Sequence, residues 1–239
     1  MKIFRVLAFI FLLTLLSACL YPDELRNQNM PTNDEQLEQM QRAVETFQEQ
    51  QNGLLPILTR DHDTDVFIRY PIDFNRLKEM NMIGETPKNA YEQGGYYTYV
   101  IIHPEDDPLV KVVDVRLTQA LQQINYEINL YQQKNFYPPF KDVLFQNYFT
   151  IDESKLNSKE KLTVTSPYTQ NDLEVFLDQN GDALVDYRPD VYQLMQEHDI
   201  ENYDGDLRYL LTEHYPFVPA YSPPMYFEDG HIIFISEEE

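Results

Sequence analysis

The 239-residue chain has no tryptophan, one cysteine, seven glycines and 18 basic residues against 40 acidic ones. A lone cysteine, Cys19, permits no intramolecular disulfide, so the domain must be held by its own core. Roughly 200 residues are enough to build one. With so little glycine there is no glycine-rich phosphate cradle, and no GxSxG or HExxH is present. The shortage of base gives a formal charge of −22. Lys2 and Arg5 fall in the first 18 residues, which leaves −24 over the remaining 221. Such a surface repels polyanions and anionic headgroups, which argues against nucleic acid as a partner and against a polybasic membrane contact. Disorder does not follow from the charge, because 18 tyrosines and 14 phenylalanines supply ample apolar surface.

Long apolar runs are missing too, with one short exception at the start. Residues 6–16 are apolar apart from Thr14, behind the positive pair Lys2 and Arg5. That run is shorter than the roughly 20 residues of a membrane span and fits the core of a secretory signal. Leu16-Ser17-Ala18-Cys19 follows and resembles the bacterial lipobox. The resemblance implies cleavage between Ala18 and Cys19 and diacylglyceryl transfer, with palmitate-type acylation, onto Cys19. An ordinary signal peptide with an incidental cysteine is the competing reading. Residues 1–18 are thus expected to be a signal peptide and 19–33 a polar tether, leaving 34–239 as a globular domain.

Within that domain, Thr32 and Glu35 have capping-box spacing, and Leu37, Met40, Val44 and Phe47 share a helical face up to Asn52-Gly53. A short strand is expected at 66–70 and a brief helix at 73–82. Strands at 96–103 and 109–116 flank a proline-containing turn. Leu117, Leu121, Ile124, Ile128 and Tyr131 then mark a core helix. Residues 140–149 read as an aromatic helix, and 152–161 as a polar stretch where two lobes would part near 155, if the domain has two. Strands at 173–177 and 183–187 flank an Asn180-Gly181 turn. Pro189 suits a helix start, Asp204 a further cap, and 225–227 with 231–235 a closing hairpin.

Three stretches, GLLPILTRDHDTDVFIRYPIDFNRL, NAYEQGGYYTYV and VKVVDVRLTQAL, resemble an uncharacterised lipoprotein family of endospore-forming Gram-positive bacteria, the YphF type. The resemblance covers the lipobox and roughly residues 30–130. It implies attachment to the outer face of a Gram-positive plasma membrane and carries no catalytic residues with it.

Asp178, Asn180, Asp182 and Asp186 sit at positions 1, 3, 5 and 9 of a calcium-loop pattern, but position 12 is Pro189 instead of a bidentate Glu. A plain hairpin turn explains the same residues, so these are the weaker metal candidates and no cofactor is expected. Asp61-His62-Asp63 with Asp65, and His103 with Glu105, Asp106 and Asp107, are acidic loops that would meet if their strands were neighbours. Solvated loop charge is the default for both. His198, His214 and His231 are scattered and read as structural. Tyr96, Tyr97 and Tyr99, with the aromatic tail 215–227, either line a groove or pack into the core.

The expected architecture is α+β, with short antiparallel sheet regions packed on four or five helices. The expected function is non-enzymatic: a surface lipoprotein held in the membrane by the lipid on Cys19 that binds or assembles an envelope protein or small ligand. A small solute-binding lipoprotein of a transporter is the alternative, and a cell-wall hydrolase the third. A deep pocket lined by the tyrosines favours the second, and a polar pocket with a metal or shifted acid the third.

Overall fold

The computed structural model describes residues 33–156 and 162–235. The signal peptide, the lipobox with Ala18 and Cys19, and the tether lie outside the described residues, as does Thr32 of the capping box. The described chain is α+β, with five α-helices and three antiparallel sheets.

Helix α1, Asn33–Gln50, buries Met40, Ala43, Val44 and Phe47 against a two-stranded sheet, β1 Tyr97–Ile102 and β2 Leu109–Asp114. Full burial of each large side chain contributes about 1.5–3 kcal/mol, which outweighs the weak intrinsic preference of so polar a helix. Between them, α2 (Phe74–Glu79) is capped by Asp73, whose carboxylate accepts from the Asn75 and Arg76 amides.

Both faces of β1 are core. Tyr99 and Ile101 join the α1 cluster, while Val100 and Ile102 pack with Phe67, Ile68, Val218 and Ala220 on the opposite side. Of the three tyrosines, Tyr99 packs into the core, where it is buried and donates from its hydroxyl to Asn89 Oδ1 at 2.7 Å. Tyr97 is partly buried against the same cluster, and Tyr96 stays exposed. Burial pushes the Tyr99 hydroxyl up to about 12, a shift partly offset by Asn89.

Neither edge of this small sheet is left open. The Ile72 amide donates to Tyr99 O and the Ile101 amide to Tyr70 O on one side. On the other, the C-terminal strap pairs with Val112 through Pro216 O and the Val218 amide. Buried Lys111 donates from Nζ to Tyr215 O, and burial lowers its pKa. Gly95 is required beside the sheet, because a Cβ there would fall inside the Asn89 backbone carbonyl.

Helix α3, Val115–Asn135, begins immediately after β2 and buries Leu117, Leu121, Ile124 and Ile128, as the spacing requires. It packs on a five-stranded sheet of order β3-β4-β6-β5, with β7 paired to β6. The strands are β3 Phe140–Phe145, β4 Tyr148–Ile151, β5 Thr163–Thr165, β6 Asp172–Leu177 and β7 Ala183–Val185. Helices α4 (Arg188–Glu197) and α5 (Leu207–His214) and a hairpin, β8 Met225–Glu228 with β9 His231–Phe234, complete this second core.

Three expectations are corrected and one strand is added. Residues 140–149 form the β3–β4 hairpin instead of a helix. Phe140 stacks on Phe149 across the hairpin at 4.3 Å, and Phe149 pairs with Leu177, so long-range pairing overrides the helical spacing. Residues 66–70 form turns instead of a strand. Asp65 Oδ1 accepts from the Phe67 amide and Asp65 O from the Ile68 amide, the local bonding that competes with strand ladders. The cap of α5 is Asp206, not Asp204. Finally, Thr163–Thr165, absent from the sequence reading, pairs with β6.

Candidate functional site

The hydrophobic clusters divide between Val113 and Leu117: two draw on residues 40–113 plus 217–220, and the third on residues 117–234. Asp114 stands at this junction, and the strap around Tyr221 lies across it. Tyr221 takes a left-handed backbone (φ 64°), which costs a non-glycine residue energy and persists only where contacts enforce it. Three contacts do so. Its amide donates to Asp65 Oδ2 at 2.6 Å, its carbonyl accepts from the Val185 amide, and its hydroxyl donates to Thr118 Oγ1 at 3.3 Å. Burial pushes its hydroxyl pKa up, with Thr118 and Arg60 opposing.

A groove opens on each side of Tyr221. One, of about 580 Å³, is walled by the 62–66 loop, Arg69, the Asp178–Asn180 turn and Ser222 to Pro224. The other, of about 460 Å³, runs over Val100 and Val113 between Arg60, Tyr91, Thr118 and Gln122. Both volumes lie in the range of small-molecule or peptide sites. The larger groove carries charges of both signs, Asp63, Asp65 and Asp178 against Arg69 and Arg208, plus the amides of Asn147, Gln179 and Asn180. Such a lining suits a polar ligand recognised by hydrogen bonds.

A motif the sequence reading missed recurs at three helix starts, and one copy of it lines the groove through Arg208. Asp114-Val115-Arg116, Asp186-Tyr187-Arg188 and Asp206-Leu207-Arg208 stand at the starts of α3, α4 and α5. In each triplet Oδ1 of the aspartate accepts from the arginine amide at 2.9–3.0 Å, and the guanidinium turns back onto the same carboxylate. The carboxylate thus satisfies an orphan amide of the helix start and pairs with a cation at once. The visible signal was D-x-R immediately before an apolar helical repeat. Arg208 goes furthest: it donates to Ser222 O at 2.6 Å and lies over the Phe67 ring at 5.1 Å, tying the strap to the 66–68 turn.

The sequence candidates distribute unevenly around this seam. Asp178 Oδ1 accepts from the Asn180 and Asp182 amides, which builds the tight turn into β7. Gly181 is held there at φ 89° against Pro138. Partial burial, then the neighbouring Asp178, push the Asp182 carboxyl up. Asp186 belongs to a different surface, chelated by Arg188. The four loop candidates therefore do not converge on one point. Among the described residues, no group of three His, Cys, Asp or Glu side chains is placed to hold a metal ion. The 61–65 loop approaches the Asp178–Asn180 turn across the groove. His103 instead packs on Tyr209. His198 and His214 stack on each other at 4.3 Å on the exposed surface, and His231 and Arg188 line one shallow surface depression.

Asp190 is buried elsewhere in the second core. Ser166 Oγ donates to it at 2.9 Å and Thr169 Oγ1 at 2.7 Å. Ser166 Oγ in turn accepts from the Tyr168 and Thr169 amides, so this is a structural knot beneath α4.

Fold and seam together define an α+β protein in which a strap joins two hydrophobic units and leaves a polar groove at their junction. Residues 33–114 match the YphF family N-terminal domain, which bears out the resemblance for that part of the chain. The match ends at Asp114, the residue at which the clusters divide. No curated protein and no solved structure matches the chain. Among the described residues, no helix is long and apolar enough to cross a membrane.

Proposed function

We propose that this chain is an extracytoplasmic lipoprotein, held on the outer face of the plasma membrane by lipid on Cys19, whose seam groove binds an envelope protein or polar ligand. The anchoring half of this reading rests on Leu16-Ser17-Ala18-Cys19 behind a charged, apolar leader. Two or three acyl chains hold a protein stably where one is marginal. The binding half rests on the groove beside Tyr221, where five separate segments meet around a strained residue. Strain of this kind clusters at ligand clamps.

A groove of about 580 Å³ also suits a small solute, which keeps the transporter-linked reading as the second choice. Placing a photo-crosslinking residue at exposed Asn180 of the full chain separates the two in cells. A discrete protein adduct that disappears when Arg69 is replaced by Glu supports the envelope-protein reading. An adduct with a permease supports the transporter reading. A ladder of adducts identical to one obtained from exposed Glu79 would remove the groove from consideration.

A further inference from the structure

We propose that Phe136, Tyr137 and the outer face of the last turns of α3 form a membrane-surface contact that lays the tethered domain onto the bilayer. The proposal rests on anchoring at Cys19. Phe136 is 92% exposed, more than any other large apolar side chain among the described residues. It also ends α3 with φ 67°, donating its amide to Gln132 O. That left-handed position normally belongs to glycine. The chain therefore bears two costs at one residue, backbone strain and an aromatic ring in water, and packing within the domain repays neither.

The surroundings say what covers the ring. Tyr126, Leu130 and Lys134 follow at four-residue spacing along α3, and all three are exposed. Tyr137 is half-exposed, edge-on to Tyr131, with Lys155 Nζ 6.0 Å from its ring. Aromatic rings with lysines beside them are the side chains of membrane interfaces, where the ring enters and the long ammonium stem reaches back to headgroups. Charge points the same way. The 24 residues 128–151 contain one acid, Asp142, against Lys134 and Lys141, in a chain with 40 acids. Lys155 is itself paired with Asp152 at 3.1 Å, so the patch is close to neutral and its repulsion from an anionic bilayer is reduced rather than reversed. Thirteen residues separate Cys19 from Asn33. They span at most roughly 50 Å, so a tethered domain stays within reach of the surface. Tethering raises the local concentration to the order of millimolar, and a contact too weak for a free protein then suffices.

The absence of tryptophan makes the test specific, since F136W carries the only indole. The full chain is coupled through its single thiol, Cys19, to maleimide lipid in vesicles of phosphatidylglycerol and phosphatidylcholine with brominated acyl chains. Coupling supplies the tether whether or not cells lipidate Cys19, so this measurement and the anchoring reading fail separately. The expected result is a blue-shifted F136W emission, quenched at least twofold more than that of L54W, a control at an exposed site just past α1. F136G, which should fold at least as well, is the second arm: paired with Y137W, it should lower the quenching. F136W quenched no more than L54W would overturn the proposal, as would Y137W quenching that F136G leaves unchanged.

Discussion

The three Asp-x-Arg triplets form an internal series for testing what holds the helix starts. Each guanidinium turns back onto its own carboxylate, those of Arg116 and Arg188 onto both oxygens and that of Arg208 onto Oδ2 alone. The side chains differ in exposure: 54% for Arg116, 25% for Arg188 and 6% for Arg208. Replacing each by Met keeps the aliphatic stem and removes the cation. At Arg208 the loss leaves the Asp206 carboxylate, itself about 10% exposed, in a site that water barely reaches. An uncompensated buried charge costs about 3–5 kcal/mol. For a domain of this size each kcal/mol lowers Tm by about 2–4 °C, so R208M should melt roughly 10 °C lower. At Arg116 water replaces the half-exposed guanidinium, and the cost should fall to about 1 kcal/mol or less. R188M belongs between them. R42M, at a surface pair with Glu38, should be within about 0.5 kcal/mol of the parent. Urea denaturation followed by circular dichroism reads the series. D206N/R208M should be less destabilised than the two single costs predict, by about 1 kcal/mol or more, because no stranded charge remains. Equal costs across the three arginines, or strict additivity in the double variant, would refute this account of the motif.

Two other outcomes follow from the buried groups. Burial raises the Asp190 carboxyl pKa, while the Thr169 and Ser166 hydroxyls oppose the shift. The native state then holds that proton more tightly than the unfolded chain. Its stabilising contribution is complete below the unfolded carboxylate range and is lost as pH rises through the native value. The stability of the parent relative to D190N should therefore decline as pH rises through the acid range; a difference in denaturation free energy that is flat or grows would contradict this. G95A should prevent the β1–β2 unit from closing against Asn89, costing about 3 kcal/mol or more, and a variant that melts like the parent would show the close approach to be dispensable.

What was legible in the sequence was local. The apolar repeats of α1 and α3 appear as buried faces because helical neighbours lie three and four residues apart. Asp178 to Gly181 made the β6–β7 hairpin readable for the same reason. Residues 140–149 misled because Phe140, Leu144, Phe145 and Phe149 satisfy helical spacing, and their strand partners lie outside that window. Residues 66–70 carry strand-like composition, yet the side chain of Asp65 turns them. The groove was invisible for a stronger reason. It joins Thr64 and Arg69 to Asn180 and Ser222, more than 100 residues apart, through a strap whose path no local pattern encodes. The acidic loop at 61–65 was singled out, but its partner across the groove is the 178–180 turn and not the 103–107 loop.

The central claim is that this acidic domain lives at the membrane surface on a lipid attached to Cys19. Metabolic labelling with an alkyne fatty acid tests it directly, comparing the full chain with its C19S variant. The account predicts label on the parent, none on C19S, and release of C19S into the medium. Persistent label on C19S, or an unlabelled parent that leaves the cell freely, would contradict it.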